Sequence, residues 1–374
     1  MIRVSPLPSM QMPRLTVERL SLADWHATGQ GDGAVAGAMS TLGALRYGHS
    51  AAQTDRAPSG DPANPAVANH ATHAMSPITD IAGQLLLDGA SQADVWRASG
   101  PIEAGHSGQV RWWRQADWLF GTVDLEESAQ GPSLAEISHN AYRDIFQSLD
   151  DSTRPHLLRL WNYLPRINVD GGGLERYRQF NAGRQQAFLE AQRTAFEGAP
   201  AACALGTSAG PLSIRFLAGR KAPTAVENPR QVSAYRYPAT YGPRAPTFSR
   251  AALADMGNDH LALLISGTAS IVGHDTVHLG DVLAQIGETL RNLQAVITAA
   301  DARCSARFDI RQLDCVVYVR HPADASRVRD ALGQALGADS HTVRKAIFLQ
   351  ADICRSDLLV EIEAHAVAAG TVSP

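Results

Sequence analysis

Cysteine is scarce and carries no pattern: Cys203, Cys304, Cys315 and Cys354 stand apart, without a CxxC pair. That spacing argues against a disulfide framework and a structural zinc site, and the thiols read as reduced, as in a cytoplasm. No run of about 18 apolar residues occurs, and MIRVSPLPSMQMPRL at the N-terminus has no apolar h-region, so neither a membrane span nor an export signal is expected. A charge excess is lacking too, with Lys+Arg at 33 against Asp+Glu at 37 and a net of -4. Nucleic acid is a poor partner for so balanced a surface. There is no Walker loop and no GxGxxG turn, so no nucleotide cofactor is implied. GHSGQ and GTSAG fail the strand–turn–helix context of GxSxG. His70 and His73 lack carboxylate or thiol company and read as solvated, which leaves no metal site.

What is present divides the 374 residues into two folded units with accessory segments. About residues 27–80 are rich in Ala, Gly, Ser, Pro and Asn without a sustained hydrophobic period, and read as a mobile insertion. From Val110 the text becomes regular. VRWWRQADWLFGTVDL reads as paired strands, and SLAEISHNAYRDIFQSL as a helix with a Ser133/Glu136 capping box and a stripe of Leu134, Ile137, Ala141, Ile145 and Leu149. A strand HLLRLWNYL, a polar and aromatic helix GLERYRQFNAGRQQAFLEA and a strand PLSIRFLAG complete the first unit. After the connector ENPRQVSAYRYPATYGPRAP the order returns: LALLISGTASIV, a helix with Leu283, Ile286, Leu290, Leu293 and Ile297 at 3,4,3,4 spacing, LDCVVYVR, a helix near ASRVRDALGQAL, and LLVEIEAHA. Such internal duplication implies two similar modules side by side, with ligand sites at their junction.

The closing strands LSIRFLA and LLVEIEA share one register, which pairs Arg215 with Glu361. Alternation sends Leu358, Val360 and Ile362 to one face and Leu359, Glu361, Glu363 and His365 to the other. One face then packs on a helix and the other lines a cleft.

Several stretches carry a specific resemblance. FSRA, LLISGTASIVG, VVYVRHPAD and VEIEAHA resemble the YjgF-type fold of the reactive-intermediate deaminase superfamily. WNYLPRIN, GLERYRQFNAGRQQAF, YPATYGPRAPTFSRA and ADICRSDLLVEIEA are similar to the chorismatase family, over about residues 105–367. The resemblance implies an α+β chain of two YjgF-like (chorismate-mutase-like) modules, each a mixed sheet on two helices, in a pseudo-symmetric pair. The expected division is an N-terminal segment 1–104, a first module 105–225 and a second 226–374. It also implies chorismate as substrate, pyruvate as one product, and Glu361 as the catalytic acid. Gly267 and Cys354 occupy the positions that mark the 3-hydroxybenzoate-forming branch, with 4-hydroxybenzoate as a second product of some members. From the residue alone Cys354 reads as an inert buried thiol; the resemblance puts it near the ring.

Chorismate is a dianion, and the arginine fork suits carboxylates. Arg215, Arg320 and Arg178 are the candidate clamps, with Arg355 a weaker fourth and Tyr163 and Tyr241 as hydroxyl donors. Glu363 is expected to point into solvent, and His365 and His278 to be structural. Three alternatives stay open: hydrolysis to a dihydroxycyclohexadiene carboxylate, enamine or imine deamination, and ligand binding without turnover. The expected assembly is a monomer or weak homo-oligomer, in the cytoplasm.

Overall fold

Ser133 starts the long helix of the first module, its side chain accepting from the Glu136 amide while Glu136 returns the bond to the Ser133 amide. That helix, α2 (Leu134–Ser152), buries Leu134, Ile137, Ala141, Ile145 and Leu149 against a seven-stranded sheet. The computed structural model describes residues 14–27, 39–48, 76–87, 89–128 and 130–373. Its first unit is a four-stranded sheet in the order β1 (Leu15–Ser21), β4 (Gln92–Ser99), β2 (Met39–Tyr47) and β3 (Ile78–Ile81), with helix α1 (Leu22–Ala27).

The first module runs β5 (Glu103–Ser107), β6 (Val110–Arg114), β7 (Trp118–Leu125), α2, β8 (His156–Pro165), α3 (Arg176–Glu190), β9 (Ala201–Thr207) and β10 (Leu212–Gly219). The second runs β11 (Thr224–Val226), β12 (Ala251–Gly257), β13 (His260–Ala269), the small hairpin β14 (Ile271–Val272) and β15 (Asp275–Thr276), α4 (Val282–Asp301), β16 (Asp314–Val319), α5 (Ala325–Leu336), α6 (His341–Lys345), β17 (Ile347–Gln350), β18 (Asp352–Ile353) and β19 (Val360–Ala369). Each module places its helices on one face of its sheet, in separate cores. The opposite faces of all three sheets meet in a further core containing Leu42, Trp96, Phe120, Trp161, Leu264 and Tyr318. Arg19 ties the N-terminal sheet in: it makes a two-pronged pair with Asp94 at 2.7 and 2.8 Å and donates to the Cys315 and Lys345 carbonyls of the second module.

Four expectations change. Strand β2 and most of β3 lie inside the stretch read as a mobile insertion; residues 28–38 and 49–75 of that stretch, with His70 and His73, lie outside the described residues. Ala and Gly hide β2 from a propensity reading, and Gly43 is there for contact, since a Cβ on it would stand 2.1 Å from the Phe120 ring. The first sheet starts at Glu103 and the second at Thr224, each two residues before the expected boundary. Strand β18, from the second module, adds antiparallel to β9 of the first, so the division is not clean in space. In α4 the buried N-terminal residue is Val282, while Leu283 is 44% exposed, because the helix starts just after its cap Asp281.

Candidate active site

Strand β19 alternates as its sequence demands. Val360, Ile362 and Ala364 enter the helix-side core, while Glu361, Glu363 and His365 face the junction of the sheets, all buried. Opposite Glu363 the β13–β19 ladder slips: Ile265 pairs with Ala364 and Thr268 with Ile362, which leaves Ser266 and Gly267 against that one residue, while Glu361 pairs with Ala269. Such bulges re-aim side chains beside functional sites. This one is pinned by Ser266, whose hydroxyl donates to the Ser249 carbonyl at 2.6 Å and accepts from the Ala202 amide at 2.9 Å. Gly267 consequently lies against the Glu361 carboxyl, and a Cβ on it would stand 2.0 Å from Oε1.

Glu361 opens into a cavity of about 360 Å³, a size that suits a small metabolite. Its walls come from both modules: Glu175, Tyr177 and Arg178 around the start of α3, Tyr237, Tyr241 and Phe248 from the connector, Arg250, Gly267, and the loop Cys354 to Asp357 between β18 and β19. Burial, reinforced by the Glu363 carboxylate, raises the Glu361 carboxyl to about 8, against the opposing pull of Arg159, Arg250 and Arg320. The acid thus holds its proton at neutral pH. Burial, then the neighbouring Glu361, pushes the Cys354 thiol up to about 12, so it is a neutral thiol rather than a thiolate. The Tyr177 hydroxyl is raised as well, chiefly by burial and then by Cys354.

Two guanidiniums besides Arg178 line the cavity. Arg355 donates through Nη1 to the His274 carbonyl at 2.8 Å and lies 4.0 Å from the Tyr241 ring centre and 5.1 Å from that of Tyr237. Its Nη2 is buried without a partner among the described residues. Arg250, 4% exposed, donates through Nη2 to the Val232 carbonyl and the Tyr237 hydroxyl, both at 2.8 Å, and its Nε has no partner among the described residues. Both residues nonetheless line the cavity, where a guanidinium suits a ligand carboxylate. Arg178, a third cation, is paired with Glu175 at 3.2 Å.

The expected residues separate accordingly. Glu361, Gly267, Cys354, Arg178 and Tyr241 line the cavity. Tyr241 is a shelf rather than a free donor, since its hydroxyl donates to the His274 carbonyl at 2.8 Å. Arg215 does not reach the cavity: it is buried in the first sheet and bonded to Asp124 at 2.8 Å and to the Val123 carbonyl. Duplication gave it the strand position of Glu361 but not the opening. Arg320 spends its donors internally, through Nε on the Leu358 carbonyl, Nη1 on Asp352 and Asn168, and Nη2 on the Ile353 and Arg355 carbonyls. With five N–H groups on a guanidinium, none is left for a ligand. Tyr163 is 1% exposed and bonded to the Tyr318 hydroxyl at 3.0 Å, within the interior core. Glu363 does not face solvent; it is 3% exposed and held by Arg159 and Tyr318. His365 packs 5.9 Å from Trp96 and His278 sits 3.3 Å from Glu288, both outside the cavity. Arg250 and Tyr177 were missed, although both lie in quoted stretches, FSRA and GLERYRQF; nothing in residue type separates them from surface Arg and core Tyr.

Residues 94–218 match the family described as "Chorismatase FkbO/Hyg5-like, N-terminal". A chorismatase of Streptomyces rapamycinicus is 40% identical over 282 residues, 73% of this chain and 81% of the relative. A 3-hydroxybenzoate synthase of Streptomyces hygroscopicus is 35% identical over 280 residues, 72% and 80% of the two chains. A chorismatase crystal structure at 1.08 Å superposes with a TM-score of 0.75 at 31% identity, covering 96% of this chain and all of that one. With the duplicated sheet-and-helix modules and the neutral carboxyl at their junction, this likeness over most of the length places the chain in the chorismatase family.

Proposed function

We propose that the protein cleaves chorismate, releasing pyruvate and forming 3-hydroxybenzoate, with Glu361 as the proton donor. The observation that carries this reading is a buried carboxyl, its pKa raised by burial, that faces a cavity whose wall carries the guanidiniums of Arg178, Arg250 and Arg355. Arg355 and Arg250 would bind the two carboxylates of the substrate, and Arg178 would add positive charge to the wall. Glu361 hands its proton to the terminal methylene carbon of the enol ether, and the resulting oxocarbenium ion is stabilised by the carboxylate left behind. Chorismate is isomeric with hydroxybenzoate plus pyruvate, so aromatisation consumes no net water. Gly267 supports this outcome by letting the carboxyl lie close to the β13 backbone. Cys354, as a neutral thiol, would contact the ring rather than act as a base. The reading includes 4-hydroxybenzoate as a second product, a monomer or weak homo-oligomer without a cofactor, and a cytoplasmic location. Among the described residues no helix is long and apolar enough to cross a membrane, and no cluster of His, Cys, Asp and Glu has metal-binding form. The proposed units remain an N-terminal segment to about residue 104, a first module to 225 and a second to 374.

The test is purified protein with chorismate, pyruvate followed by a coupled lactate dehydrogenase assay and ring products by chromatography. Pyruvate with 3-hydroxybenzoate supports the reading. The non-aromatic diol, or binding without pyruvate, overturns it.

A further inference from the structure

Behind Glu361, on the same face of β19, lies a second ionic group that the proposed chemistry does not use. Glu363 stands two residues further on, about 7 Å along an extended strand. Both its oxygens are committed: Oε2 accepts from Arg159 Nη2 at 2.5 Å and Oε1 from the Tyr318 hydroxyl at 2.8 Å. Arg159 comes from β8 of the first module and donates again to the Ile265 carbonyl, at the edge of the β13 bulge, at 2.9 Å. Tyr163 continues the chain to Tyr318. Arg159 and Glu363 are 2% and 3% exposed, so the pair is buried on all sides.

A buried ion pair is a poor device for stability, because desolvation offsets its attraction and apolar residues of the same volume often do as well. Its position offers another use. We propose that the Arg159–Glu363 pair is a positioning device for the reaction: it fixes an anion beside Glu361 and anchors the bulge that seats the acid, so that the acid stays in its proton-bearing form. This rests on Glu361 being the proton donor.

The groups that act on Glu361 come from every neighbouring element. Arg159 on β8, Arg250 before β12 and Arg320 after β16 favour its anion, while Glu363 on its own strand opposes it and is the strongest of the four. Cys203 on β9, Cys354 in the loop and Tyr177 on α3 sense its charge in return. The other charged residues of the wall are Arg178 and Arg355 on one side of the balance and Glu175, Asp275 and Asp357 on the other. Removing the Glu363 charge would leave three guanidiniums without their opponent.

The test is the pH profile of pyruvate release, paired with ¹³C NMR titration of labelled glutamate carboxyls, which reads Glu361 without turnover. Glu363→Gln should move the alkaline limb and the Glu361 titration down together by about one pH unit or more, roughly tenfold less activity above the new midpoint. The double variant Arg159→Met/Glu363→Gln buries no charge and should bring both back at least half way. A merely structural pair would lower the melting temperature and leave both midpoints in place, and that result overturns the proposal. A double variant that stays with the single one also overturns it. If wild-type protein released no pyruvate the proposed function would fail, while the carboxyl titrations would still decide the electrostatic part.

Discussion

Replacing Gly267 by alanine adds one methyl group at the most crowded point of the site. That carbon would stand 2.0 Å from Glu361 Oε1 and 2.7 Å from Cδ, but 3.4 Å from Cys203 Cβ, an ordinary contact. Only the end of a flexible side chain has to move, so the β13 bulge and the fold should survive. The carboxyl must retreat by about 1.4 Å to restore normal packing, and a misplacement of about 1 Å can cost on the order of 10²-fold in rate. Gly267 therefore makes the seat of the acid. The expected outcome for Gly267→Ala is pyruvate release slower by about ten- to a hundredfold, with the diol appearing beside 3-hydroxybenzoate as a displaced acid lets water compete. The assay is steady-state pyruvate formation with chromatography of the ring products, circular dichroism confirming the fold. A rate within threefold of wild type and an unchanged product pattern would refute the reasoning.

Glu361→Gln should abolish pyruvate release and leave the fold intact; residual activity above about a tenth would remove Glu361 as donor. The same substitution should stabilise the protein in alkali. Because the native carboxyl titrates near 8 against 4.5 unfolded, wild type loses stability as pH rises from 4.5 through 8. The glutamine variant should thus melt a few degrees higher at pH 9 and about the same at pH 4 by calorimetry. Arg355→Ala should raise KM about ten- to a hundredfold, the worth of a charge-assisted pair, whereas Arg215→Ala should leave KM within about twofold and lower the melting temperature by removing a buried side chain with its bonds to Asp124 and the Val123 carbonyl. Arg320→Lys keeps the charge but offers three donors in place of five, so the Cys354–Arg355 loop should loosen and kcat/KM fall by about tenfold, with kinetics and loop proteolysis as readouts.

Much of this architecture was legible because period and duplication are strong signals. The α2 stripe, its capping box and the alternation of β19 all sit where the spacing put them. Strand β2 escaped because its Gly43 answers to Phe120 from another sheet, a contact no local window contains. The site divided along the same line. Glu361 could be read from its strand face, but which arginine holds free donors depends on carbonyls brought in from distant loops, as at Arg320. Arg215 and Glu361 both face away from the helix-side cores of their modules, yet such strands need not share an opening. Glu363 looked solvated because its partner, Arg159, is 204 positions upstream.

Strand β18 hydrogen-bonds to β9 of the first module immediately before Cys354 and Arg355. The reacting centre is therefore stitched across a seam, and its geometry is a readout of how the halves are seated. Mild denaturant that lets the seam slide should silence turnover while helices and sheets still register in full, and a chain severed in the connector would regain activity only by re-annealing that edge.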